Sequence, residues 1–209
     1  MSNFLYEMGL QREWGVVDVV GFDSELLNFL PQPVVAVILL YPVSKVQSLS
    51  GDEPQTVPDG VYFMRQTIRN ACGTIALLHA VANCQDQVAL APDSILQRFF
   101  DKTKDMSPEE RGRELENSGE ISQTHETSAQ AGQTAAPDID ADVDYHFVAF
   151  VHKNGKLVEL DGRRNGVIVH GTSSPSTFLQ DAATTCVKIM AQNPDCLNFT
   201  AVALSKLAQ

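Results

Sequence analysis

QTIRNACGTIALLHAVAN, residues 66–83, is the stretch whose reading decides the fold. After Ala71-Cys72-Gly73-Thr74 the chain runs Ile75, Ala76, Leu77, Leu78, His79, Ala80, Val81 and Ala82. These are good helix formers and nearly all apolar, which predicts a helix buried on most of its circumference. Cys72 then sits at or just before the helix N-terminus. Unpaired backbone N–H groups and the macrodipole favour negative charge there, which lowers a thiol's pKa and makes it a nucleophile. The ordinary alternative for a free cysteine is a small buried hydrophobe. The helix alone does not choose between the two.

Partners for that thiol are found in YHFVAFVHKNGKLVELDG, residues 145–162. Asn154-Gly155 between two β-rich runs is the strongest short-range hairpin signal, for a two-residue turn. With those two residues as the loop, Lys153 faces Lys156 and Val148 falls opposite Asp161. His146 projects from the same face as Val148 and becomes a diagonal neighbour of Asp161. Diagonal pairs stand about 7–8 Å apart at Cα, within reach of an imidazole and a carboxylate. The register therefore predicts a His–Asp pair, which a single bulge would break. His79 lies about 10 Å further up the same helix as Cys72 and cannot reach back. His152 lies beside the turn, about 20 Å along the strand from His146. His125 and His170 occupy polar or turn-like sequence with no acidic partner placed by register. All four read as surface or packing histidines.

The run YFMRQTIRNACGT, Tyr62 to Thr74, resembles the active-site signature of the ubiquitin carboxyl-terminal hydrolases, papain-like cysteine peptidases that act on ubiquitin C-termini. HFVAFVHKNGKLVELDG resembles their His/Asp segment, and MSPEERGRELEN, THETSAQAGQTAAP and NFTAVALS resemble the isozyme L3 group. The resemblance implies an α+β fold, a mostly antiparallel central sheet flanked by helices, with a crossover loop at about 117–142 passing over the site. It implies Cys72 as nucleophile, His146 as base, Asp161 as orienter and Gln66 as oxyanion donor. Substrate contacts are implied at Ala129, Gln130, Ala131, Gly132, Gln133, Thr134, Ala135 and Ala136, and at Cys196, Leu197, Asn198 and Phe199. Ala131 and Ala135 depart from the acidic residues common in the L3 group. The implied partner is ubiquitin, with the related modifier NEDD8 as a second candidate, and the implied reaction removes small or unfolded adducts. Family members usually carry a short tryptophan-containing segment before the first helix. This sequence starts at Met1-Ser2-Asn3-Phe4, inside that helix, so truncation or weakened affinity and stability is expected. A non-catalytic ubiquitin-binding protein with impaired docking is the alternative, and a papain-like peptidase of other specificity a third reading.

At 209 residues with 44% hydrophobic residues, the chain reads as one globular domain, 1–209, and as a monomer. The net charge of −11 argues against nucleic-acid binding and for a cationic partner. The longest apolar run, Val34 to Tyr41, is too short to span a bilayer, and no signal peptide is visible. Cys72, Cys84, Cys186 and Cys196 have neither Cys-x-x-Cys nor zinc spacing, so no metal and no cofactor is expected. Free thiols point to a reducing compartment, the cytoplasm.

Helices are expected over Asn3 to Met8, Ser24 to Leu30, Pro92 to Asp101, Pro108 to Glu116 and from Ser174-Pro175-Ser176 to about Gln192. The last of these presents Phe178, Ala182, Cys186 and Ile189 on one face. Strands are expected over Val16 to Val20, Val34 to Leu40, Val61 to Met64, Gly166 to His170 and Leu197 to Leu204. Ser44 to Asp59 reads as a loop. Asn117 to Asp142, rich in Ser, Thr, Gln, Ala and Gly, reads as a long surface segment. Arg69, Arg163 and Arg164 read as solvated charges.

Overall fold

VVAVILLYP carries no polar face, so the strand it forms has to be covered on both sides. The computed structural model describes residues 1–42, 57–130, 145–192 and 194–207, and in it β2 (Val34–Pro42) lies inside the sheet. Val35, Ala36 and Ile38 enter one core cluster, and Val34, Val37 and Leu39 the other. A register shift between Val34 and Ala36 breaks the alternation at the start of the strand.

The remaining strands are β1 (Trp14–Val19), β3 (Tyr145–Lys153), β4 (Lys156–Leu160), β5 (Ile168–Thr172) and β6 (Thr200–Lys206). They are ordered β1-β6-β2-β3-β4-β5, with every pairing antiparallel. The helices are α1 (Ser2–Glu7), α2 (Ser24–Leu27), α3 (Cys72–Asn83), α4 (Ile95–Thr103), α5 (Pro108–Glu116), α6 (Gly119–Gln130) and α7 (Phe178–Met190). The first cluster joins α3 to the sheet, and the second joins α7 to it. This is the α+β architecture expected. In α3, ten of twelve residues are buried, which matches its nearly all-apolar sequence. In α7, Phe178, Ala182, Cys186 and Ile189 are all buried, as the periodicity predicts.

Several boundaries differ from expectation. α2 stops at Leu27, α4 starts at Ile95 behind the Ser94 cap, and α7 starts only at Phe178. β5 and β6 run later in the chain than expected. The polar segment after Asn117 is not a loop from its start: Asn117 caps α5, and α6 occupies twelve residues. Packing supplies what composition lacks, since Ile121 is buried in the first cluster and α6 lies against α1 and α5. The rest of the expected crossover segment, including Ala131, Gly132, Gln133, Thr134, Ala135 and Ala136, lies outside the described residues, as do the side chains of Ala129 and Gln130. Of the expected loop Ser44 to Asp59, only residues 57–59 are described.

Val61 to Met64 is not a strand of the sheet. Its backbone is instead satisfied by side chains. Asn83 accepts from the Tyr62 N–H and donates to the Tyr62 carbonyl, both at 2.8 Å. The Met64 N–H donates to Nε2 of His79 at 3.0 Å, and Arg111 donates to the Phe63 carbonyl at 2.9 Å. The sequence pattern sees only apolar residues with satisfied backbone, which a strand and this arrangement share. Further on, Gly112 lets α5 approach closely: a Cβ there would stand 2.3 Å from the Arg65 carbonyl oxygen.

Two outcomes follow for stability. Gly112→Ala forces α5 off a backbone atom, so a loss of about 2 kcal/mol is expected, read as a fall of about 4–8 °C in Tm. His79 is fully buried, and burial drives its pKa from 6.5 down to about 4. Its folded form is therefore neutral, and its contribution to stability is complete above pH 6.5 and is lost as pH falls toward 4. Urea titrations across that window should show a loss on the order of 3 kcal/mol, flattened in His79→Gln.

Candidate active site

Asn70 turns the chain into α3 with φ 57°, a left-handed conformation that asparagine tolerates. Ala71 occupies the N-cap and contributes no side-chain cap, so Cys72 is the first residue of a helix whose leading N–H groups no side chain caps. Cys72 is buried, 7% exposed.

The hairpin delivers the other groups. Lys153 pairs with Lys156 across the Asn154-Gly155 turn, and Asn154 and Gly155 both have positive φ, as a two-residue turn of this kind requires. The ladder runs without a bulge to Ala149 opposite Leu160. One step further, His146 Nε2 and Asp161 Oδ1 stand 2.6 Å apart, both side chains buried. The expected pair is present. Asp161 Oδ1 also accepts from the Arg163 backbone N–H at 2.9 Å, and Oδ2 faces Arg164 Nε at 3.4 Å. Arg164 is therefore an ion-pair partner of the buried carboxylate, where sequence reading had made it a solvated charge. Tyr41, the cross-strand partner of His146, packs edge-on against the imidazole with ring centroids 6.0 Å apart.

Cys72 meets this pair from the helix side. Burial by itself would raise its pKa, but a hydrogen-bonding contact with His146, the Phe147 backbone N–H and the positive charges of His146 and Arg163 outweigh burial, and the thiol falls below its ordinary 9.0. His146 moves the other way. Burial opposes its charge, yet Asp161 and Cys72 raise it above 6.5. Asp161, buried too, is held below the usual carboxylate range by His146, the Arg163 N–H and Arg164. His146 Nδ1 has no partner in strict hydrogen-bond geometry. The Cys72 thiol is lowered against His146 without completing a hydrogen bond to Nδ1, and catalytic hydrogen bonds commonly tighten only when substrate binds. A thiol lowered and an imidazole raised against each other favour the charged pair, an arrangement suited to nucleophilic attack on an acyl carbon.

Gln66 is brought to the same place by Gly162, whose carbonyl accepts the Gln66 N–H at 2.8 Å. Its amide donates one N–H to the Ile68 carbonyl at 2.9 Å, and an amide nitrogen has two. Cys196 is half-buried, Leu197 is 90% exposed, Asn198 is exposed, and Phe199 packs against the second core cluster. The antiparallel registers put them at the His146 end of the sheet: Tyr41 pairs with His146, Leu40 with Thr200 and Val19 with Ala201. Val20, 77% exposed, lies at that end as well, just past the end of β1 rather than within it as expected.

Three of the four remaining histidines have structural partners. His79 is bound to Met64, and His125, on α6, meets Thr74 of α3 at 2.9 Å. His170 pairs with Glu159 at 2.7 Å. That pair was equally a diagonal one, since Glu159 lies opposite Ile168, but the β4–β5 register contains a shift that the sequence does not signal. Among the described residues, no cluster of His, Cys, Asp and Glu could hold a metal ion, and no helix is long and apolar enough to cross a membrane.

The pKa directions give a test. The rate at which iodoacetamide alkylates Cys72 should rise with pH through a midpoint below 9.0, and His146→Ala should move that midpoint upward.

Comparison with known proteins gives the family. The family described as ubiquitin carboxyl-terminal hydrolase, family 1, matches residues 1–191. A ubiquitin carboxyl-terminal hydrolase of Aplysia californica is 43% identical over 93% of this chain and 92% of its own. Ubiquitin carboxyl-terminal hydrolase 3 of Arabidopsis thaliana is 42% identical over 99% and 90%, and the human isozyme L1 is 39% identical over 100% and 95%. The catalytic domain of Trichinella spiralis UCH37, solved bound to ubiquitin vinyl methyl ester, superposes with a TM-score of 0.77 at 26% identity, covering 99% of this chain and 91% of that one. On the match over residues 1–191 and relatives aligned over nearly their whole length, the chain belongs to the ubiquitin carboxyl-terminal hydrolase family.

Proposed function

We propose that this chain is a deubiquitinating thiol hydrolase that cleaves small or unfolded adducts from the C-terminal glycine of ubiquitin. The observation that carries the reading is the buried His146–Asp161 pair at 2.6 Å with a thiol held below its ordinary pKa against it. The Cys72 thiolate attacks the glycine carbonyl, and the tetrahedral oxyanion is met by the Cys72 N–H and the second amide N–H of Gln66. The imidazolium of His146 protonates the leaving amine, leaving a thioester on Cys72. His146 then takes a proton from water, the hydroxide attacks the thioester, and ubiquitin leaves with a free carboxylate while the sulfur regains its negative charge. Asp161 keeps the proton on Nε2, so that Nδ1 faces the chemistry.

Leu197 and Val20 supply an exposed apolar contact at the His146 end of the sheet, beside Cys196, Asn198 and Phe199. The charge of −11 suits the basic face of ubiquitin. Residues 129–136 complete the substrate contacts in this reading. The L3-like segments at 106–117 and 124–137 favour that isozyme group, and NEDD8 is the second substrate to try.

The test uses ubiquitin carrying a C-terminal electrophile. Wild-type protein should form a covalent adduct, and Cys72→Ala should form none. Binding without adduct by the wild type would instead favour a non-catalytic ubiquitin-binding protein. Gln66→Ala should lower kcat about 10²–10³-fold on a ubiquitin C-terminal coumarin amide.

A further inference from the structure

Cys72, His79 and Asn83 lie on one stripe of α3, spaced seven and four residues apart. Only the first is needed for the chemistry. The other two are buried polar side chains, 0% and 2% exposed, and both face the backbone of the segment that ends at Gln66. Asn83 holds Tyr62 and His79 holds Met64. The spacing is commensurate. Two residues of extended chain advance about 6.6 Å, and four residues of helix about 6 Å. Another such step places Gln66 beside Ile75, one turn from Cys72. The packing around Gly162 agrees: a Cβ there would stand 2.8 Å from the Ile75 side chain and 3.1 Å from Gln66 Cβ.

We infer that His79, with Asn83, is a positioning residue for the oxyanion side of the reaction: from the nucleophile's own helix it fixes where the Gln66 amide stands relative to Cys72. This rests on the oxyanion role proposed for Gln66. His79 suits the task because its ring is fully buried and stacked on Phe63 (centroids 5.3 Å apart, planes 16°) and presents Nε2 as an acceptor. That acceptor requires the neutral ring. Nδ1 then carries the proton; no acceptor meets it in good geometry, although the Leu160 backbone, next to Asp161, is near enough to favour that proton.

The experiment separates acyl transfer from alkylation. Hydrolysis of a ubiquitin C-terminal coumarin amide develops an oxyanion, whereas alkylation of Cys72 by iodoacetamide does not. His79→Leu keeps bulk and removes the acceptor. It should lower kcat about 10–100-fold, with KM and the alkylation rate within about twofold of wild type. His79→Gln, whose amide oxygen can accept from Met64, should recover most of the loss. In a Gln66→Ala background, His79→Leu should cost less than about twofold more. Equal losses in hydrolysis and alkylation, or an undiminished cost in the Gln66→Ala background, would overturn the inference. A Gln66→Ala protein with full kcat would remove the oxyanion assignment itself, a distinct result. Should His79→Leu fail to fold, Asn83→Ala carries the same comparison, with a smaller fall in kcat at constant alkylation supporting the inference and a parallel fall in both opposing it.

Discussion

A carboxylate taken out of water needs its charge met by hydrogen bonds or opposite charge. Asp161 is 5% exposed, and its partners are drawn from two directions. The hairpin supplies His146, and the turn after Asp161 supplies the Arg163 N–H and the Arg164 side chain. Removing the register of β3 against β4 would strand a buried negative charge, so the same requirement that stabilises the hairpin also fixes the imidazole. That imidazole in turn lowers the thiol at the mouth of α3. Fold and chemistry here share one electrostatic constraint.

The groups of the candidate site were legible for two separate reasons. His146 and Asp161 came from counting across an Asn-Gly turn, which works because a two-residue loop leaves the register no freedom. Cys72 was legible as the first residue of an apolar helix, and its choice over a packing cysteine drew on the His–Asp pair placed by register and on family resemblance. Gln66 came from resemblance alone. Cys186 shows the converse: buried in α7 with its thiol pushed up by burial, it is the packing cysteine the periodicity predicted. Arg164 and the His170–Glu159 pair went unread because each depends on a turn or a register shift without a sequence signal.

Elements failed where tertiary packing replaced a local rule. Val61 to Met64 has strand composition, yet side chains of α3 and α5 take the place of neighbouring strands. α6 has loop composition, yet buries Ile121 and reaches Thr74 through His125. Arg111 illustrates how local charge patterning misleads. It sits in a polar helix but is 9% exposed, bonded to the Phe63, Thr103 and Lys104 carbonyls and lying over the Tyr62 ring at 4.1 Å. Its planar fork serves carbonyls that a lysine could not reach together.

β6 lies between β1 and β2, although the residues that form it come some 160 positions after β2 begins. During synthesis on the ribosome, the nascent sheet therefore has a vacant slot between β1 and β2. β2 emerges with one apolar edge unpaired, and it waits there while α3 and the hairpin are translated. The sheet that supports the site is complete only once β6 has been made, and until then the facing edges of β1 and β2 stay open to wrong pairing, the interval in which chaperones matter most.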